Sequence, residues 1–138
     1  MTSAQEILKM IEEVSPDDTA KLDEIDARVT VWLEGYDWGS SQAYMKNQSV
    51  LEFYSEEGLE HRYYISHYTR SRDALKQIRP EGFLLREFQD VNGKWQAGLY
   101  KPSEAFVGTS SLRLWLPTEE LAELHAIIQA IEYERRGK

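Results

Sequence analysis

The residues that could carry out chemistry are few, and their spacing fits no catalytic pattern. Three histidines, His61, His67 and His125, could ligate a metal or exchange a proton, but no paired-histidine spacing accompanies them. The chain has no cysteine, no serine in a nucleophile elbow and no glycine-rich loop for phosphates. The sequence therefore predicts no enzyme, no metal site and no cofactor.

Acidic residues are concentrated in the first part of the chain. Residues 1–60 carry fourteen acids and four bases, whereas residues 61–138 carry ten acids and twelve bases, which together give the net charge of −8. Such an asymmetry concerns the partners of a protein and not its fold. A net negative charge argues against affinity for duplex DNA or for an anionic membrane surface.

These acids and the aromatic residues that follow them suggest a docking surface for a protein. Carboxylates at helical spacing could imitate a phosphate track and steer the chain towards a basic surface. Exposed rings would supply the buried anchors that carry most of the energy of an interface. The alternative is that the carboxylates are only the solvated side of an amphipathic helix. The candidate protein-binding residues are Asp17, Asp18, Asp23, Asp26, Glu34, Tyr36, Trp38, Tyr44 and Tyr54.

A nucleotide-binding module is the second hypothesis. A predicted helix start near residue 70 would offer free backbone N–H groups to a phosphate, with arginines as bidentate partners and tyrosines as stacking platforms. The alternative is that Thr69 or Ser71 only caps the helix and that the arginines pair with the acidic N-terminal part. The candidate nucleotide-binding residues are Arg62, Tyr64, Tyr68, Arg70, Ser71 and Arg72.

A structural or oligomeric subunit, such as a homodimer, is the third hypothesis. It would use the apolar stripe of the C-terminal helix, which includes Ile127 and Ile131. If a sheet covers that stripe completely, nothing of it is left for a partner.

Two N-terminal helices are predicted to position the acids. Ser3 and Glu6 have the spacing of a capping box, which predicts a helix over residues 4–14. Ser15 is a suitable cap for a longer helix over residues 16–34, in which apolar residues recur at helical intervals.

A hairpin is predicted in the second half of the chain. Asn92-Gly93 joins two runs of strand-forming residues, 83–91 and 94–101, and is the dipeptide of a two-residue type I′ turn. Such a turn would place Asp90 opposite Trp95 and Phe88 opposite Ala97.

Further elements complete the predicted order. A short helix over residues 72–78 precedes the hairpin, and a third strand at 105–109 follows it. An apolar helix, opened by Pro117 and Thr118, ends the chain. Between residues 35 and 67 the pattern is irregular and rich in aromatics, with possible short strands at 50–54 and 62–68.

This order of elements predicts one α+β domain over residues 1–138. The expected architecture is an antiparallel sheet of about three to four strands packed between helices, an αβα-type sandwich. Residues 1–15 would form a helical extension, and residues 35–67 an aromatic-rich insert. No apolar run is long enough to span a bilayer, and no cationic segment followed by an apolar run opens the chain. The expected location is the cytoplasm.

Two stretches carry a resemblance to a known family. The run Tyr68-Thr69-Arg70-Ser71-Arg72-Asp73-Ala74, followed by Pro80-Glu81-Gly82-Phe83, is similar to a Tyr-Ser/Thr-x-Ser-x-Asp-Ala stretch that leads through a short helix to a Pro-Glu-Gly turn. Trp95, Ala97 and Leu99 match a Trp-x-Ala-x-Leu strand. In these features the chain resembles the phage ABA-sandwich domain, a family of small phage proteins.

The resemblance covers residues 20–135, with residues 121–131 as the closing helix of the family. The helix at 4–14 and the insert at 35–67 depart from its pattern. It implies a phage or prophage accessory protein with a sandwich fold, and it transfers no catalytic residue. Together with the acidic surface, it leads us to expect a non-enzymatic inhibitor of a host defence system, comparable to an anti-CRISPR protein, that acts in the bacterial cytoplasm.

Overall fold

Four helices and six strands occupy the residues that the computed structural model describes, which are 2–38, 43–102, 106–107 and 114–136. The strands pair antiparallel in two sheets, the first sheet (β1-β2-β3) and the second sheet (β4-β5-β6). The predicted α+β class is confirmed, and the strands divide between two sheets instead of forming one. In chain order the elements are α1 (Ser3–Glu13), α2 (Thr19–Leu33), β1 (Ala43–Asn47), β2 (Val50–Ser55), β3 (Gly58–Tyr64), α3 (Arg72–Ile78), β4 (Leu84–Gln89), β5 (Trp95–Tyr100), β6 (Phe106–Val107) and α4 (Glu119–Arg135).

The two N-terminal helices begin at caps that differ from the predicted ones. Thr2 and Gln5 form the capping box of α1, each accepting a hydrogen bond from the backbone N–H of the other. This pair lies one position before the predicted one, which began at Ser3. Asp18, instead of Ser15, caps α2. A carboxylate is well suited there because it accepts a backbone N–H and faces the positive end of the helix dipole.

The caps of the other two helices are as predicted. The Ser71 side chain accepts a hydrogen bond from the Ala74 N–H at the start of α3, and the Thr118 side chain accepts one from the Leu121 N–H at the start of α4. The predicted third strand forms as β6, and the rest of its range, residues 105 and 108–109, lies outside the described residues.

The predicted hairpin forms between β4 and β5, but its register is shifted by one residue. Gln89 pairs with Trp95, and Asp90 closes the turn by donating its N–H to the Lys94 carbonyl at 2.9 Å. The loop therefore has three residues and ends in Gly93, whose φ of +80° is the left-handed conformation that such loops require. A one-residue shift exchanges the two faces of a strand.

The shift decides which side chains of β4 are buried. Leu85 pairs with Leu99, which is fully buried in the main core. Leu84 and Phe88 point to the other side, where they are 48% and 54% exposed. The predicted pairing of Phe88 with Ala97 is therefore wrong, and Phe88 pairs with Gln96.

The main core lies between the second sheet and the helices. Its fully buried members include Ile11 of α1, Ile25 of α2, Leu99 of β5 and Ile127 of α4. Ile131 packs against the same core. Most of the apolar stripe of the third hypothesis is thus covered, while Ile131 is half-buried. Helix α1 is part of the main core. None of the described helices has the length and apolar character that a membrane crossing requires.

The aromatic-rich insert folds as the first sheet, which has a small core of its own. Leu51 and Phe53 of β2 pack with Ile65 against Ala27 and Val31 of α2. Since α2 also contributes to the main core, it is buried on two sides. The alternation along β2 directs its other side chains to the outward face of the first sheet.

Candidate functional site

The acidic face of α2 is largely neutralised by one arginine. The Arg70 Nη2 atom lies 2.6 Å from Asp23 Oδ1 and 2.8 Å from Asp26 Oδ2. The Thr69 N–H donates to Asp26 Oδ1 at 2.9 Å. Burial raises the pKa of the Asp26 carboxyl group, although the Thr69 N–H and the Arg70 guanidinium act in the opposite direction. Asp26 is completely buried, so its expected place on a docking surface is corrected: it holds the fold together.

The other predicted acids lie at opposite ends of α2. Asp17 and Asp18 are exposed before its first turn, where Asp18 is the N-cap, and Glu34 is exposed at its C-terminal end. The helix has fifteen residues, which places its ends about 22 Å apart. The predicted acidic surface therefore consists of two exposed groups with a neutralised centre between them.

The first two predicted rings follow the end of α2 and are partly covered. The Tyr36 ring lies 5.1 Å from the Phe53 ring, and Tyr36 is 42% exposed. Trp38 packs against the small core, and the Arg28 guanidinium lies 5.1 Å from its ring. Trp38 thus contributes to the packing of the first sheet, and Tyr36 keeps one accessible side.

Tyr44 and Tyr54 meet on the outward face of the first sheet. Their ring centroids are 5.3 Å apart, and the ring planes are inclined by 21°. The Tyr54 hydroxyl donates to Glu52 Oε1 at 3.0 Å. The Tyr44 hydroxyl lies 3.2 Å from the same oxygen and 3.2 Å from the Tyr54 hydroxyl, and its single proton serves one of these acceptors at a time. The Glu52 carboxylate therefore orients both rings.

Glu52 is the buried centre of this face. It is 2% exposed, and Arg62 donates to its Oε2 from Nε at 3.0 Å and from Nη2 at 2.8 Å, while Lys46 Nζ lies 3.9 Å away. The hydrogen bonds from Arg62 lower the pKa of Glu52 against the effect of desolvation. The hydrogen bonds with Tyr44 and then with Glu52 raise the pKa of Tyr54. At neutral pH the face therefore holds one buried carboxylate and two cations.

We call the outward face of the first sheet the tyrosine face. Tyr44 and Leu59 are about half exposed, and Tyr64 is 80% exposed. The turn between β2 and β3 adds the exposed acids Glu56 and Glu57 at one end. The members of the tyrosine face, as the strand register places them, are Tyr44, Lys46, Glu52, Tyr54, Leu59, Arg62 and Tyr64.

Sequence reasoning found the tyrosine face only in part. Tyr44 and Tyr54 were candidates for their exposed rings, and Arg62 and Tyr64 as nucleotide contacts, but Glu52 was missed. The signal for Glu52 is its place between two apolar residues of a strand, which turns it to the opposite face. Its burial on that face depends on the neighbouring strands and cannot be read from the local pattern.

The remaining nucleotide candidates do not come together as a site. Tyr68 is buried in the main core, and Ser71 is the cap of α3. Arg70 pairs with α2, as its alternative explanation predicts, and Arg72 pairs with carboxylates of β4 and α4. Core packing, a helix cap and internal ion pairs account for these four residues.

Asp23, Asp26 and His67 are the group of described residues whose arrangement comes closest to a set of metal ligands. Their ligand atoms lie within 4.8 Å of one another. The Arg70 Nη2 atom, however, contacts both carboxylates and lies 3.0 Å from His67 Nδ1. The guanidinium thus occupies the position that a metal ion would take, and the group is an internal ion-pair network.

Two cavities are lined by described residues of α1, α2 and their neighbours, and both are small. One of about 120 Å³ is lined by Thr69, Arg70 and Glu120 among others. The other, of about 270 Å³, lies between α1 and the start of α2 beside Met10 and Val14. Pockets for small molecules usually enclose about 300–1,000 Å³, so neither cavity points to a substrate.

Comparisons with known proteins add no relative. The chain matches no family model, no curated protein and no solved structure. The resemblance to the phage ABA-sandwich domain therefore stays a prediction, and the function has to be inferred from the tyrosine face.

Proposed function

We propose that the chain is a non-enzymatic binding protein that recognises a partner protein through its tyrosine face. The Tyr44–Tyr54 ring pair carries this proposal, because it is accessible from solvent and held from below by the buried Glu52 carboxylate. Tyrosine and arginine are enriched among the residues that dominate the energy of protein interfaces.

The polar contacts under the rings favour binding because they orient the side chains in advance. A side chain that a partner has to immobilise costs about 0.5–1.5 kcal/mol of binding free energy. Tyr54 and Arg62 are already hydrogen-bonded to Glu52 in the free protein. A partner that covers Tyr54 and Arg62 therefore loses less binding free energy, because these side chains are already ordered.

A protein fits the tyrosine face better than a nucleic acid does. Glu52 neutralises one of the two cations of the face, and Glu56 and Glu57 stand exposed beside it. The net charge of −8 adds a repulsion towards any phosphate backbone. Leu59, which pairs with Tyr54 in the sheet, favours an apolar side chain in the partner.

Electrostatic attraction of the partner and close contact with it would come from different parts of the molecule. The exposed acids at the ends of α2, among them Asp17 and Glu34, add to a negative field that attracts a partner with a basic surface. The tyrosine face would then make the close contact. Raised salt should therefore slow association more than it speeds dissociation.

The biological setting that we propose follows from the phage resemblance. The chain would be a phage-encoded inhibitor of a host defence system, and its partner a bacterial protein. Expression in a bacterium with an active defence should then raise the plating efficiency of a sensitive phage. An unchanged plating efficiency would contradict this biological setting. It would not bear on the tyrosine face as a binding surface, which the binding experiment tests.

The binding experiment compares two tyrosines of similar exposure on opposite sides of one sheet. Tyr44→Ala removes a ring of the tyrosine face, and Tyr36→Ala is the matched control. Wild type and both variants are immobilised on a resin and incubated with bacterial lysate. The protein that wild type captures is purified, and its binding to each of the three is measured by calorimetry at two salt concentrations. We expect Tyr44→Ala to weaken binding at least about tenfold, as at an interface hot spot, and Tyr36→Ala to leave it unchanged.

Three outcomes would contradict the proposal. Both variants could bind equally well, or Tyr36→Ala could cause the larger loss, which would favour the surface at the end of α2. Calorimetry with nucleotides could also show heat that Tyr64→Ala removes, which would favour the nucleotide-binding module. Thermal unfolding of each variant shows whether its fold is intact.

A further inference from the structure

The outer edge of β4, which is free of any further strand among the described residues, differs from the edges of the first sheet. β1 and β3 are the outer strands of that sheet, and their pairings with β2 shift register at Met45/Asn47 and at Phe53/Tyr54. β4 is an outer strand of the second sheet and pairs with β5 without a shift from Leu84 to Gln89. Bulges, prolines and charged side chains, above all lysines, commonly protect an edge from pairing with another chain. β4 has no bulge, proline or lysine, and of its two charged residues Glu87 is paired with Arg72.

The backbone of β4 has hydrogen-bonding groups that face this edge. In the hairpin the Asp90 N–H donates to the Lys94 carbonyl, and hydrogen-bonded pairs recur at every second residue of an antiparallel ladder. The even-numbered residues of β4 therefore bond to β5. The N–H and C=O groups of Leu85, Glu87 and Gln89 face away from β5, towards the free edge.

Arg86, in the middle of β4, stands out among the arginines that the structure describes. Its one contact is with the Tyr100 ring, whose centre lies 5.3 Å from the guanidinium. Each of the other described arginines donates to a carboxylate or a backbone carbonyl. Leu84 and Phe88, on the same face of β4, are 48% and 54% exposed. The edge thus presents a cation between two accessible apolar side chains.

We propose that the edge of β4 binds an extended segment of another protein, which adds as a fourth strand to the second sheet. The segment carries a carboxylate that meets Arg86 and apolar side chains on either side of it. Backbone hydrogen bonds supply affinity in such strand addition, and alternate side chains supply specificity. This surface is on the other sheet from the tyrosine face and does not depend on it.

A second copy of the chain fits the edge less well than an acidic segment. Antiparallel pairing of two copies about Arg86 would bring Leu84 next to Phe88, but it would also place two guanidinium groups directly opposite each other. Like charges at opposed positions destabilise a strand pair. A carboxylate at the same position would instead give Arg86 an ionic partner, which no described residue supplies.

The test uses synthetic peptides and the full chain. A fluorescent peptide with Leu, Glu and Leu at alternate positions and Thr between them is compared with its counterpart that carries Gln in place of Glu, by fluorescence anisotropy. We expect wild type to bind the Glu peptide about fivefold more tightly, the upper range for a solvent-accessible ion pair. Arg86→Gln should remove this preference, and the control Arg136→Gln, an exposed arginine of α4, should keep it.

Several results would overturn the proposal. One is that neither peptide binds; another is that the Glu peptide keeps its advantage on Arg86→Gln. A third is that a Glu peptide with methylated backbone nitrogens binds as well as the parent, because strand addition needs those N–H groups. A dimer in sedimentation that Phe88→Ser dissociates would assign the edge to a second copy.

Discussion

The first and the second sheet each have three antiparallel strands, but they are held in different ways. The second sheet packs through residues such as Leu99 on α4 and shares the main core with all four helices. The first sheet rests on one side of α2 with a small core around Leu51 and Phe53. On its outward face, a buried carboxylate with tyrosine and arginine partners takes the place of apolar packing.

This difference connects stability with function. A unit with few buried apolar contacts opens at a lower free energy than the core of the same protein. The first sheet is therefore the part that we expect to open first, and its outward face is the part that presents fixed rings to solvent. The predictions below ask whether the two sheets behave as separate units.

The largest effects are expected from cavities in the two cores. Leu51→Ala and Leu99→Ala each remove a fully buried side chain and should cost about 3 kcal/mol of unfolding free energy. Because Leu51 serves only the small core, hydrogen exchange should accelerate in β1–β3 while α4 stays protected. Leu99→Ala should accelerate exchange in α4 as well. Equal loss of protection everywhere in both variants would show that the two sheets unfold as one unit.

A somewhat smaller effect is expected where the segment between β3 and α3 is tied to α2. Arg70→Ala leaves the buried Asp26 carboxylate without its cation, which should cost about 2–3 kcal/mol, below the range for a completely buried pair because the Arg70 side chain is about one-third exposed. The matched control is Arg136→Ala, an exposed pair within α4, with a cost below about 0.5 kcal/mol. Urea unfolding at neutral pH measures both. Similar losses in the two variants would contradict a structural role for Arg70.

Two glycines in the turns of the sheets offer a subtler comparison. Gly58 and Gly93 have φ values of +114° and +80°, and a Cβ at either position meets no close atom. Replacement by alanine should therefore cost about 1 kcal/mol in each case through backbone strain alone. In Gly58→Ala, the protection of backbone amides against hydrogen exchange should fall in the first sheet only. If protection falls in the second sheet as well, the two sheets unfold as one cooperative unit.

The smallest effects concern pH, where two buried carboxylates should act with opposite signs. Burial raises the pKa of Asp26 above its ordinary value of 3.8, so the stability that its protonation contributes is present below that value and is lost as pH rises through the folded pKa. Arg62 lowers the pKa of Glu52 below 4.5, so the stability from Glu52 is present above 4.5 and is lost as pH falls through the folded pKa.

Urea unfolding of Asp26→Asn and Glu52→Gln over the acidic range separates these terms. In wild type, the Asp26 contribution to the free energy of unfolding should rise on mild acidification, and Asp26→Asn should lack this rise. The Glu52 contribution should fall at lower pH, and Glu52→Gln should lack this fall. A pH dependence that changes in the same direction for both variants would refute the assignment of opposite shifts.

Local chemistry in the sequence was sufficient for much of the fold. Ser71 and Thr118 predicted their helix starts because capping is decided within four residues. Asn92-Gly93 located the hairpin but not its register, because Asp90 accepts the N–H groups of both Asn92 and Lys94 and so closes a longer loop. That one difference in loop length reversed the faces of β4 and exposed Leu84 and Phe88.

The types of residue that form the candidate surface could be predicted from the sequence, but not which of these residues lie together. Residue type alone marked the acids and the rings as candidates, since carboxylates and tyrosines suit an interface wherever they are accessible. Accessibility itself depends on residues that are distant in the sequence. Asp26 is taken out of the surface by Thr69 and Arg70, and Tyr44 joins Tyr54 only because β1 pairs with β2.

The amino-acid sequence by itself determined the α+β class, the starts of α3 and α4, the place of the hairpin turn and the uneven charge, because these depend on neighbours along the chain. Tertiary structure alone decided which carboxylates are neutralised, which rings face solvent and which arginine has no ionic partner among the described residues. The physical reason is that desolvation and ion pairing depend on distance in space, and the contact between Asp26 and Arg70 joins positions 44 residues apart.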